Sequence, residues 1–219
     1  MSSRLLPSLW PRRFARDARG VAALEFAMIL PLMLLLYMGV LELSMGYQAS
    51  RKVSLFARTV SDITSQATGS VANADMLQVR NAANWILAPY PIANGQVRMT
   101  VSSVIFKGAA AGPTAWTDWS VGYDGVKRAC GQLTIVASTA DPSLTTIPTG
   151  VVLPGTTVIV ADVAYDYKPL LGGSFKSFGA GSKSQITLSQ TSYMKPRNVA
   201  QVTLAADVTS ANKCAVAFP

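Results

Sequence analysis

Asp162 and Asp166, four positions apart in DVAYDY, are carboxylates whose spacing invites a catalytic reading. On a strand, four positions span ~13 Å at ~3.3 Å each, beyond the ~6.5 to 9.5 Å of an inverting glycosidase pair, so they read as solvent-facing strand residues. The chain contains no histidine, which removes Ser-His and Cys-His nucleophilic pairs and the commonest metal ligand together. GAGSKS (179–184) faintly echoes a phosphate loop, but it lacks G-x-x-x-x-G-K-[ST] and reads as a loop. Trp116 and Trp119 in TAWTDW offer either an aromatic platform or strand packing, and packing is the preferred reading. No catalytic, metal or cofactor site is expected, and the chain does not read as an enzyme.

Two further positions carry possible chemistry. Cys130 and Cys214 are the only cysteines, and a lone pair in an extracytoplasmic domain reads as a disulfide rather than a metal or redox site. Closing a loop of ~85 residues contributes about 4 kcal/mol in the chain-entropy model. The other reading is a pair of buried thiols. Glu25 and Glu42 are the two charges in a long oily run that follows Gly20. A carboxylate at the bilayer centre costs roughly 2.5 to 3.5 kcal/mol on insertion scales, so an anchor that begins with a glutamate requires an explanation.

The run itself spans a membrane by length. Phe26 to Leu41 is free of charge, and a helix over 21–47 is ~40 Å long at ~1.5 Å per residue, enough to cross a ~30 Å hydrocarbon layer. Its apolar core is longer than that of a cleavable secretory signal, and no clear A-x-A site follows, so it reads as a retained anchor. Arg12, Arg13, Arg16 and Arg19 outweigh Arg51, Lys52 and Arg58 beyond it, which places the amino end in the cytoplasm and the rest outside. Arg12 and Arg13 read as ordinary flanking charges in preference to a twin-arginine export signal.

That placement also explains the charge. Net charge is +8, but residues 1–20 hold five arginines against one aspartate, so half of the excess is an orientation signal. The remainder is spread thinly, with no compact basic run interleaved with aromatics, and nucleic-acid binding is not expected.

The elements that must position these residues follow in order. Val53, Phe56, Val60 and Ile63 recur at spacings of three and four, which predicts an amphipathic extension of the anchor over 48–69, ending near Gly69. A second helix is predicted from NADMLQVRNAANWILAPYP, capped by Asn73 or Asp75, with Met76, Val79, Ala83 and Ile86 on one face and Pro89 ending it. Five segments rich in Val, Ile, Thr and Tyr, at 96–106, 132–138, 156–167, 184–194 and 200–208, alternate with period two and read as strands. Short links between them predict an antiparallel sheet with helices on one face, an α+β class. GAAAGPT (108–114) and LGGSFKSFGAGSKS (171–184) read as surface loops. The expected organisation is a basic leader 1–20, a membrane helix 21–47, a helical extension 48–69 and a periplasmic α+β domain 70–219.

Read from a cut after Gly20, the chain begins VAALEF, with Glu25 at the fifth position of the new chain and the apolar run starting at Phe26. This is the layout of type IV prepilins, and RRFARDARGVAALEFAMILPLMLLLYMGVLELSMGY resembles the TadE-like family of tight-adherence (Flp-type) pilus assembly proteins. The residues that carry the resemblance are Arg19, Gly20, Ala23, Glu25, Phe26 and Pro31, and it covers residues 12 to about 58. VIVADVAYDYKPLL and SYMKPR are similar to strand and Pro-Arg endings of such proteins, a weaker likeness.

The resemblance implies cleavage between Gly20 and Val21 by a prepilin peptidase, and a place among other pilus subunits and an inner-membrane assembly platform. The domain is too bulky for a thin shaft, so a minor pilin or pseudopilin is expected, in the bacterial inner membrane with its carboxyl-terminal domain in the periplasm. Glu25 and Phe26 would set subunit register, Glu25 meeting the amino terminus of a neighbour; otherwise Glu25 snorkels at the cytoplasmic headgroups. Pro31 removes a helical amide and bends the helix, as a packing kink in a fibre or as a bend tolerated by lipid. The alternative function is an uncleaved, signal-anchored periplasmic binding or scaffold domain.

Overall fold

The computed structural model describes residues 20–92, 95–109, 112–169, 185–208 and 210–216. The arginine-rich leader with Arg12, Arg13, Arg16 and Arg19, and the whole of the 171–184 loop with its GAGSKS, lie outside the described residues. The chain divides into two units, Met1–Ser44 and Met45–Pro219.

Helix α1, Val21–Ser65, runs unbroken through Pro31. Up to Ser44 it is apolar on every side: Leu24, Phe26, Met28, Leu32, Leu35 and Leu43 are all exposed. A helix that is hydrophobic all round suits lipid or other helices rather than water. From Ala49 onward the character changes, and Ala49, Val53, Phe56, Ala57, Val60 and Thr64 are buried. Ile63 does not share that face and is 45 % exposed. Ten positions from Val53 advance the helix by about 80° short of three full turns, at ~100° per residue, which swings Ile63 off the stripe. The helix stops at Ser65 rather than at Gly69. Its last carbonyls are taken by the amide of Arg197 on Ser65 (3.0 Å) and by the Asn198 side chain on Gln66 (2.6 Å), and such external donors end a helix without a glycine cap.

Helix α2, Asn73–Ile86, buries Met76, Val79 and Ala83, with Ile86 packed at the edge of the same core. Its cap differs from expectation. Ala72 holds the N-cap position; Asp75 accepts the Ala72 amide at 3.1 Å, and Asp207 accepts the Asn73 amide at 3.0 Å. The orphan amides are satisfied from inside the first turn and from a distant segment.

The strands are β1 (Ser70–Val71), β2 (Val97–Lys107), β3 (Thr114–Tyr123), β4 (Gln132–Val136), β5 (Thr146–Pro148), β6 (Thr157–Tyr167), β7 (Ile186–Met194) and β8 (Thr203–Leu204). Among the described residues, six of them form one sheet in the order β5-β4-β3-β2-β6-β7, antiparallel except for the parallel β4–β5 pair. The expected strand 200–208 contributes only Thr203–Leu204, paired in parallel with β1 in a separate two-stranded sheet.

Both faces of the sheet are covered near its centre, with the helices on one of them as expected. Met99, Val101, Trp119, Ile159, Ala161 and Val163 join the helix core. Alternation sends Val104, Phe106, Val158 and Val160 to the opposite face, where they pack with Ala115, Leu133 and Ile147. The turn of chain through β4 and β5 is what covers that second face.

Candidate functional site

The residues singled out at the amino end fall on one element. Gly20 immediately precedes α1, is exposed, and has nothing within 4 Å of where a Cβ would stand. Val21 is the first residue of α1, Glu25 and Phe26 lie one turn on, and all three are exposed. Positions 21 and 25 share a helical face, being about one turn apart. Gly20 is thus a small residue at the mouth of a helix, and Glu25 a lone acidic position in the first two turns of an apolar cylinder.

Elsewhere the structure brings Cys130 and Cys214 together in a disulfide, with Cα atoms 5.4 Å apart. The reason lies in β3. The β2–β3 register shifts between Ser103 and Val104, so that Ser103 faces Trp119, Val104 faces Thr117, and Asp118 is the extra residue. A bulge frees backbone groups from the ladder, and here the Asp118 carbonyl accepts the Cys214 amide at 2.7 Å. Lys213 bridges to Trp119, and the Trp119 indole donates to the Val202 carbonyl at 2.8 Å. Trp119 is therefore a core residue that ties the last segment to the sheet. Trp116, which donates to Thr114 Oγ1 at 3.1 Å, is a strand residue beside it.

Asp162 and Asp166 do not face open solvent. Asp166 receives both guanidinium nitrogens of Arg98, the longer contact being 2.8 Å, and the hydroxyl of Thr187 opposite it on β7 at 2.7 Å. The Arg98 hydrogen bonds hold the Asp166 carboxyl below its usual range, against the opposing effect of burial. Asp162 accepts Arg128 Nη2 at 2.8 Å and Thr191 at 2.7 Å. The Arg128 side chain is fully buried, and its Nη1 also reaches the carbonyls of Ser143 (3.1 Å) and Thr146 (3.2 Å). This clamp fastens the chain before β5 onto the sheet. A groove of about 700 Å³ opens beside it, lined by Arg98, Thr100, Asp141, Ser143, Asp162 and Gln190 among others. Each carboxylate is spent on a guanidinium and a threonine hydroxyl, an arrangement that fixes strands rather than leaving a base free to take a proton. Arg98 and Arg128 were not singled out from sequence; a strand carrying aspartates on its outward positions is the signal that each needs a cation.

The fold thus defines a class: an α+β domain following one helix long and apolar enough to cross a membrane. Residues 20–61 match the family model of TadE-like proteins, a segment that includes Gly20, Val21, Glu25, Phe26 and Pro31. The chain therefore carries a TadE-like segment, which supports a protein associated with the Tad pilus system. No curated protein and no solved structure matches the chain.

Proposed function

We propose that this protein is a minor pilin or pseudopilin of a tight-adherence pilus system, not an enzyme. It is held in the inner membrane by the apolar part of α1, with its amino end in the cytoplasm and its α+β domain in the periplasm. The observation that carries the reading is the placement of Gly20, Val21, Glu25 and Phe26 at the head of an exposed apolar helix inside the TadE-like match. A prepilin peptidase requires unobstructed backbone before the scissile bond, and Gly20 provides it. After the cut, Val21 carries a terminal amine at the membrane boundary. In a stack of subunits the Glu25 carboxylate of one copy meets the amine of its neighbour, and each charge then offsets the desolvation of the other. The apolar sides of the helix, all exposed here, are the surface on which neighbouring helices pack. The domain of Met45–Pro219 is what distinguishes it from a thin shaft subunit.

Affinity isolation of the tagged full chain from membranes of a piliated cell tests this. Other pilus subunits are expected to co-isolate in detergent. Recovery of the chain without any of them contradicts the pilin reading and leaves an anchored scaffold domain.

A further inference from the structure

Trp85 is 86 % exposed at the end of α2, an unusual place for an indole in a domain that buries Trp119 almost completely. Its surroundings are set by the segment just beyond the apolar run. Lys52 Nζ donates to the carbonyls of Ile86 (3.3 Å) and Ala88 (2.5 Å), which fastens the end of α2 to α1. Tyr90 then donates its hydroxyl to the Met45 carbonyl at 2.9 Å. The chain from Trp85 to Tyr90 is therefore held along residues 45–52. Strand β6 ends at the same place: the Tyr167 ring lies 6.0 Å from that of Tyr90 and 3.8 Å from where a Cβ on Gly46 would stand. Tyr47 is exposed with the Arg51 guanidinium 5.9 Å from its ring centroid, and Lys168 is exposed beyond Tyr167.

We infer that Trp85, Tyr47, Arg51 and Lys168 form a membrane-contacting collar, by which the domain rests on the phosphate and glycerol layer of an anionic bilayer. The inference rests on the membrane-span reading of the proposed function. Residues 21–44 rise ~36 Å at ~1.5 Å each, so Met45 emerges at the headgroups and residues 46–52 climb a further ~10 Å through them. Indole and phenol rings settle at that depth because one end is apolar and the other hydrogen-bonds. Guanidinium and ammonium groups there meet lipid phosphates. The exposed aromatics and cations thus sit where the chain leaves the oily layer, and the bilayer surface is the partner whose chemistry they fit.

The test uses the full chain with Trp10→Phe, reconstituted in vesicles of phosphatidylethanolamine and phosphatidylglycerol doped with lipid brominated near the glycerol end of its chains. Tryptophan emission is expected to fall with brominated lipid, and Trp85→Phe is expected to abolish that fall, since Trp116 and Trp119 belong to the sheet. Replacing Arg51 and Lys168 by Gln should remove the increase of quenching with phosphatidylglycerol content; an unchanged increase overturns the phosphate contact. Emission indifferent to bromine, or quenching that survives Trp85→Phe, overturns the collar. Alkaline carbonate extraction of the same vesicles separates the two readings. Chain that stays in the pellet without Trp85 quenching refutes the collar alone, whereas chain released to the supernatant refutes the span itself. Shielding of Trp85 only after other pilus subunits are added assigns the patch to protein and also overturns the inference.

Discussion

Arg128 shows how far a single charge can organise the domain. Its guanidinium is buried and reaches one carboxylate and two carbonyls. Removing the carboxylate leaves that cation unpaired, and Asp162→Asn should lower unfolding free energy by about 3 kcal/mol in urea titration, the order found for broken buried pairs. The acid limb of stability should separate two other aspartates. Asp166 is held below the usual carboxylate range by Arg98, so its contribution is present above the ordinary carboxylate pKa and is lost as pH falls through the depressed value. Asp118 is shifted the other way, upward by burial, with the Gln201 amide partly offsetting. Its ionisation therefore opposes folding as pH rises through the raised value. Thermal melts at neutral and acid pH should show Asp166→Asn destabilising and Asp118→Asn stabilising at neutrality, with both differences shrinking in acid. The opposite signs would contradict these assignments. Glu25 belongs to a different balance: Glu25→Ala should insert as well as wild type, since it removes a charge from the apolar run, yet fail to co-isolate other subunits at equal membrane levels. Recovery equal to wild type would make Glu25 a bystander at the headgroups. The role proposed for Glu25 rests on sequence, on Gly20 standing five residues away. Arg98 and Arg128 could not be read so, because their partners lie 68 and 34 positions distant.

Element by element, the sequence is most legible where one period dominates. Strands β2, β6 and β7 are runs of Val, Ile, Thr, Ser and Tyr, and the apolar face of α2 recurs at helical spacing. Strand β3 escapes this reading because TAWTDWSVGY interrupts its pattern at the bulged Asp118. Strand β5 is three residues long and ends in proline. The 200–208 segment alternates like a strand, but it leaves the ladder after Leu204 so that Asp207 can reach the amide of Asn73. Tertiary demands of this kind override local propensity. The disulfide secures the same region, since Cys214 follows Lys213 at its bridge to Trp119. Replacing Cys130 and Cys214 together by alanine should cost about 4 kcal/mol, reduced by any residual order in the unfolded chain. The check is denaturant unfolding of the wild type with and without reductant beside the double variant: reduced wild type and variant should coincide, and an unreduced wild type no more stable than either would contradict the bridge's contribution.

At the scale of the whole molecule, two units divide the labour. The part to Ser44 offers an exposed apolar helix with one acidic residue near its start; the part from Met45 folds around its own core, with the continuation of α1 as one wall. The apolar helix was legible because a charge-free run between flanking arginines has few other physical meanings. The second core on the far face of the sheet was not, because a central strand buried on both sides loses the polar positions that mark its faces. Everything proposed for the first unit depends on where the mature chain begins. Amino-terminal sequencing and intact mass of the protein extracted from membranes of a piliated strain measure this directly. The account predicts a chain starting at Val21, and retention of residues 1–20 in a Gly20→Asp variant, whose bulk and charge obstruct the cut. Wild-type protein that keeps Met1 while the strain assembles active pili would contradict it.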